Sequence, residues 1–321
     1  MTTRRPPFLY PPGSPLMHPP LALQQSRMYG FWIAGDLDTL QASIDGTLNA
    51  AADGRMRFEV VTHCVLLTFT AVGRAYSTWP ADRAKGWGRE TDIVTWVMVA
   101  RIDRGDRLPK AFYAFPLHIW VDDCMALING RELFGYPKYD CAYTMPKAGE
   151  PAQVFRLAAK GFQPFSPETE LAMHPLLDVE RCGPATNGTS FDGIDAWRAE
   201  WLRRADADGD FWRADARWRD HFERDFAFPS LQQIFLKQFP DASGRHAVYQ
   251  TVVAAPASVQ AIREIELLGG DWCLDLRPFD SFPLDRSLGW KCGEQAANVG
   301  FRLDFDFEVG CGEVLVETGA G

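Results

Sequence analysis

Lys138 closes the run Gly130-Arg131-Glu132-Leu133-Phe134-Gly135-Tyr136-Pro137-Lys138. An amine attacks a carbonyl only when it is unprotonated. A free lysine titrates near ~10.4, so burial or a neighbouring cation must bring that value down toward neutrality before the residue can form a Schiff base. Once formed, the iminium draws electrons from an adjacent carbon, as carbon dioxide or a proton departs. The neighbours of Lys138 in the chain are apolar or aromatic, and most basic residues here are arginine. The same position would also suit a lysine that snorkels from a strand end with its charge in water.

The local elements must hold that lysine in place. Asp122-Asp123 reads as the N-cap of a helix over Cys124 to Leu133, and Gly135 as its stop. Tyr136 precedes proline and is extended. Lys138 to Met145 is then a strand. Upstream, Ser26 to Ala34 reads as a strand. Asp36 to Ala51 reads as a helix capped by Asp36 or Asp38, with Leu37, Leu40, Ile44 and Leu48 on one face. Arg57 to Thr70, Ile93 to Arg101 and Phe112 to Val121 are further strands, the last interrupted by Pro116 at an edge or bulge. In the last third, Ala247 to Val253, Cys273 to Arg277 and Arg302 to Val309 return to strand. Within the last of these, Leu303, Phe305, Phe307 and Val309 alternate with acids. This order predicts an α+β fold with a large, mostly antiparallel, barrel-like sheet enclosing a small-molecule cavity, and peripheral helices.

Residues 1–22 form a proline-rich arm, too rich in proline for a helix or central strand. It would lie on the body, residues 23–321, or on a neighbouring subunit. A tryptophan- and arginine-rich stretch near 190–225, with Trp197, Trp201, Trp212 and Trp218, reads as a helical insertion. Both features suggest a homo-oligomer. The net charge of -9 argues against nucleic acid as a partner. The longest apolar stretch, about Val60 to Val72, is too short to span a membrane as a helix. Seven scattered cysteines make neither a disulfide framework nor a zinc site, and are read as reduced, mostly buried thiols of a cytoplasmic protein. The six histidines show no metal spacing. Asp206-Ala207-Asp208-Gly209-Asp210 fails the pattern of a calcium loop, and Gly310-Cys311-Gly312 lacks the context of a nucleotide site. No cofactor or metal is implied.

Gly130 to Lys138, following Val121-Asp122-Asp123, resembles the signature of the acetoacetate decarboxylase family. The resemblance implies that Lys138 is the Schiff-base residue. It also implies that Arg27, with Tyr29 behind it, binds a substrate carboxylate, and that Glu59, in the step Phe58-Glu59, is a second acid facing the cavity. Glu90, in Gly88-Arg89-Glu90-Thr91-Asp92-Ile93, would orient substrate or move protons. The resemblance covers about residues 23 to 145. The implied activity is a lyase acting on a small keto acid, by decarboxylation of a 3-keto acid such as acetoacetate.

One departure bears on the reaction. The decarboxylase has a second lysine after the reactive one; here the residue is Tyr139, which carries no positive charge and points to the other face of a strand. Relatives that use the same lysine to condense pyruvate with an aldehyde and dehydrate the product are therefore an alternative, as is a scaffold that binds a small molecule without turnover.

Overall fold

The computed structural model describes residues 7–184, 186–207 and 230–318. Its strands are β1 (Leu21–Ala34), β2 (Met56–Val60), β3 (Cys64–Ser77), β4 (Gly88–Asp103), β5 (Ala111–Val121), β6 (Lys138–Thr144) and β7 (Val154–Gly161), followed by β8 (Ala172–Arg181), β9 (Thr189–Ser190), β10 (Ser230–Pro240), β11 (Ala247–Leu267), β12 (Trp272–Leu276), β13 (Gly293–Val309) and β14 (Glu313–Thr318). The helices are α1 (Leu37–Ile44), α2 (Ala50–Ala52), α3 (Cys124–Asn129), α4 (Ile194–Ala207) and α5 (Leu284–Leu288). The large, mostly antiparallel, barrel-like sheet expected from the sequence is present. Only the β5–β6 and β5–β10 pairs are parallel among the described pairings.

Strand pairing closes two rings. One runs β5-β6-β7-β8-β12-β13-β1-β3-β4 and returns to β5; the other runs β5-β10-β11-β13-β1-β3-β4 and returns to β5. They share the wall β13-β1-β3-β4-β5. Because successive side chains alternate across a strand, that wall serves two cores. From β1, Tyr29, Phe31 and Ile33 enter the first, where Phe31 packs on Phe155 and Trp272. Trp32 enters the second, against Val94, Trp96, Phe301 and Phe305.

Several boundaries differ from the expected ones. The strand read from Ser26 begins at Leu21, and the span 57–70 is broken in two between Val60 and Cys64. Asp36 caps α1, its side chain accepting from the Thr39 N–H at 2.8 Å. A π turn over 45–49 joins α1 to α2. Pro116 sits at a bulge, where the register jumps from Thr95↔His118 to Trp96↔Pro116. The arm lies on the body from Leu16 onward. Met17 N–H donates to Asn129 Oδ1 at 2.8 Å, and His18 N–H to Asp82 Oδ2 at 2.7 Å. Burial works against ionisation of Asp82, but the His18 N–H and Lys85 outweigh it and hold the carboxyl at about 2.

The insertion is described as far as α4; the remainder of the expected span, with Trp212 and Trp218, lies outside the described residues, as do residues 208–210 of the acidic run. Among the described residues no helix is long and apolar enough to cross a membrane.

The expectation of reduced, mostly buried thiols is corrected. Cys182 and Cys273 form a disulfide, with Cα atoms 5.7 Å apart, and Cys124, Cys292 and Cys311 are exposed. The pair is separated by 91 residues. Antiparallel pairing of β8 with β12, not sequence proximity, brings the two together: Trp272 lies opposite Arg181, and Cys182 N–H donates to Asp271 O at 3.0 Å.

Candidate active site

Lys138 is positioned from both sides along the chain. Asp123, in an extended conformation, caps α3 by accepting from the Ala126 N–H at 2.8 Å. The helix passes into a π turn over 130–134 and stops at Gly135, whose φ of 95° is open to glycine at little cost. The N–H groups of Gly135 and Tyr136 both donate to Gly130 O, at 2.9 and 3.1 Å. Lys138 then begins β6, opposite Ile119 of β5. Its side chain turns inward across Gly130. A Cβ on Gly130 would lie 2.8 Å from Lys138 Cδ and 3.0 Å from Cε, so only glycine leaves room for the lysine stem. Gly130→Ala is therefore expected to displace the lysine stem and to destabilise the fold by roughly 1–3 kcal/mol, the usual cost of overpacking, which a denaturant melt would measure.

The Lys138 side chain is 7 % exposed. Its Nζ lies 3.2 Å from Glu90 Oε2 and 2.9 Å from Asp92 Oδ1. The Tyr136 ring centroid is 5.7 Å from the amine, and its hydroxyl donates to Gln233 Oε1 at 2.6 Å. Burial acts on Lys138 as expected, favouring the neutral amine, but Asp92 and Glu90 outweigh it and hold the side chain charged. The expected lowering of the lysine is thus reversed. Burial pushes Glu90 up to about 7, with Asp92 adding to the rise and Lys138 opposing it. Burial, Asp92 and Glu90 together keep Tyr136 protonated. The lysine therefore has beside it a carboxyl group that can gain or lose a proton near neutral pH.

These groups border a cavity of about 370 Å³ inside the second ring. It is bounded by α3 and Met17 at the lysine end and by α4 at the other. An outer, more open cavity of about 920 Å³ shares Val72, Arg89, Glu90 and Asp123 with it.

Of the four residues singled out from the sequence, Glu90 and Lys138 are brought together. Arg27 is not: it lies on the face of β1 opposite Met28, borders the outer cavity, and makes a two-point pair with Asp304. Nor is Glu59. Phe58 and Val60 enter the core, so alternation turns Glu59 outward on the edge strand β2, where it pairs with Arg57 at 2.6 Å. Asp92 was missed. Reading the strand from Ile93 left Glu90-Thr91-Asp92 in a loop, whereas β4 begins at Gly88 and presents residues 90 and 92 on one face. Arg89, which borders both cavities, was missed as well. Tyr139 faces away from the cavity, stacked edge-on against Phe282 with its ring centroid 5.1 Å away. Among the described residues, no group of three or more His, Cys, Asp or Glu is arranged to hold a metal.

Residues 36–170, which include Glu90, Asp92 and Lys138, match the model of the family described as acetoacetate decarboxylase. No curated protein matches the chain. Among solved structures it is similar to acetoacetate decarboxylase from Legionella pneumophila subsp. pneumophila str. Philadelphia 1, at 13 % identity and a TM-score of 0.62, over 99 % of this chain and 94 % of that one. It is also similar to the enduracididine biosynthesis enzyme MppR complexed with pyruvate, at 13 % identity and a TM-score of 0.56, over 95 % and 93 % of the two chains. An acetoacetate decarboxylase-like enzyme from Sphingomonas wittichii RW1 is similar at 17 % identity and a TM-score of 0.56, over 95 % and 96 %. These likenesses show a shared fold over nearly the whole chain, and the segment that matches the acetoacetate decarboxylase family carries the lysine and both of its carboxylates.

Proposed function

We propose that the chain is a lysine-dependent carbon–carbon lyase that forms a Schiff base at Lys138 with a keto acid, and that its reaction is decarboxylation of a 3-keto acid such as acetoacetate. The observation that carries this reading is the buried amine between Glu90 and Asp92 at the end of a largely apolar cavity. Lys138 passes a proton to Glu90, and the freed amine adds to the ketone. Water leaves, taking the carbonyl oxygen and the proton held by Glu90, and an iminium remains. The electrons of the bond to the carboxylate carbon move into the iminium as carbon dioxide departs. Glu90, reprotonated from solvent, delivers a proton to the resulting enamine carbon, and water releases the ketone and the free lysine. Asp92, 2.9 Å from the amine, is placed to offset the iminium charge.

A carboxylate approaching this acidic site needs a cation. Arg27 is committed to Asp304, whereas Arg89 stands where the outer and inner cavities meet. Arg89→Ala is expected to raise KM about 10- to 100-fold, the equivalent of a lost charge-assisted hydrogen bond. Arg27→Ala should chiefly lower stability, by leaving the buried Asp304 unpaired. Steady-state kinetics beside melting curves on the two variants would separate these roles. Glu59, paired with Arg57, has no step in this scheme.

The second reading is a pyruvate aldolase-dehydratase. It draws on Tyr139, which stands where a decarboxylase has a second lysine, and on the likeness to MppR, a structure that holds pyruvate. Here a proton, not carbon dioxide, leaves the substrate, and the enamine attacks an aldehyde. Product analysis divides the readings. Carbon dioxide from acetoacetate supports the first, and a condensed enone from pyruvate and an aldehyde supports the second. A borohydride adduct on Lys138 without either product would mark a binding protein.

A further inference from the structure

Along β4 the residues that face the cavity change character abruptly. Glu90 and Asp92 flank the amine, and Val94, Trp96 and Met98 continue the same face without a charge. At ~3.3 Å per residue, the six positions from Asp92 to Met98 extend this apolar limb about 20 Å beyond the lysine. The opposite walls agree: Trp32 of β1, and Phe301 and Leu303 of β13, border the same limb.

Helix α4 closes the limb. Trp197 and Trp201 are buried, with ring centroids 5.4 Å from Phe301 and 5.5 Å from Trp32. Of the β3 hydroxyls that border the cavity, Thr70 lies level with Asp92 at the lysine end, and Thr68 Oγ1 accepts from Trp96 Nε1 at 3.0 Å, so it is engaged within the wall; among the described residues, the one charged side chain that borders the α4 end is Arg198. A volume of about 370 Å³ lies within the range of roughly 300–1,000 Å³ typical of sites for larger organic ligands. Acetoacetate or pyruvate would occupy only the lysine end and leave the limb unfilled.

We propose that the substrate is a keto acid with an extended apolar tail, its carbonyl at Lys138 and its tail in the limb beneath α4. This rests on the reading of Lys138 as the imine-forming residue. Burial of each added methylene should strengthen capture until the limb is full, by about fourfold per methylene.

The test is borohydride trapping on the full chain with a series of methyl ketones, acetone, 2-butanone, 2-pentanone, 2-heptanone, 2-nonanone and 2-undecanone, each at the same low concentration. Methyl ketones are the products of 3-keto acid decarboxylation and form the same imine. The expected result is a Lys138 adduct whose yield climbs steeply with chain length and then levels off. In Trp201→Ala, which opens the floor, the levelling should move to longer ketones. A yield that is flat or falls with chain length, while acetone still labels Lys138, overturns the apolar-tail assignment and leaves the lysine reading standing. Absence of any adduct at every length overturns the lysine reading and this proposal together. In that case affinities of the same ketones for Lys138→Ala report separately on whether the limb takes apolar chains.

Discussion

Lys138→Met is expected to reduce turnover to the uncatalysed rate and to abolish borohydride labelling. It should also destabilise the fold in a pH-dependent manner. The substitution keeps the bulk of the side chain but leaves Glu90 and Asp92 beside each other, largely shielded from solvent and without their cation. Removing one partner of a buried ion pair costs about 3–5 kcal/mol. The sign of the pH effect follows from proton binding. Glu90 already binds its proton more tightly in the folded chain than in the unfolded one, and loss of the lysine strengthens that preference. A carboxyl group raised on folding is fully tolerated below its unfolded value and costs stability as pH rises toward its folded value. The variant should therefore melt close to wild type near pH 5 and well below it near pH 8. Adding Glu90→Gln and Asp92→Asn to Lys138→Met should recover much of the melting temperature without recovering activity, which separates a chemical role for the lysine from a structural one.

Glu90→Gln is expected to lower kcat by roughly 10²- to 10⁴-fold, the usual contribution of a positioned proton-transfer group. Its second consequence is a changed pH profile. In the free protein, Glu90 must be ionised to take the proton of Lys138, so kcat/KM should rise with pH through about 7. The glutamine variant should lack that limb. A wild-type profile that falls through the same range would indicate that Glu90 acts first as an acid and would reverse the order of steps proposed above.

The site was only partly legible in the sequence, for reasons visible at individual residues. The turn that delivers Lys138 is local, built from an Asp cap, a Gly stop and a Tyr-Pro step, and each has its structural counterpart. Glu90 was read through its resemblance to a family, but Asp92, two residues on, was lost because the strand was begun at Ile93 and not at Gly88. Starting the strand earlier would have put the two acids on one face. Arg27 and Glu59 failed to reach the lysine for the opposite reason. Each lies inside a stretch rightly read as extended, but which face meets which ring depends on pairings across the whole chain, above all β13 with both β11 and β12. The same dependence hid the Cys182–Cys273 bond, which rests on the β8–β12 pairing. The charged state of Lys138 was also out of reach. An apolar neighbourhood in the chain suggested a neutral amine, whereas the neighbours in space are two carboxylates.

The most direct test of the imine chemistry is a borohydride experiment followed by peptide mapping. Wild-type protein is incubated with acetoacetate, and separately with pyruvate, reduced, and digested. The account predicts a reduced keto-acid or ketone adduct on the peptide that contains Lys138, on that lysine, absent from Lys138→Met. An adduct on another lysine, or one of equal yield in Lys138→Met, would contradict it.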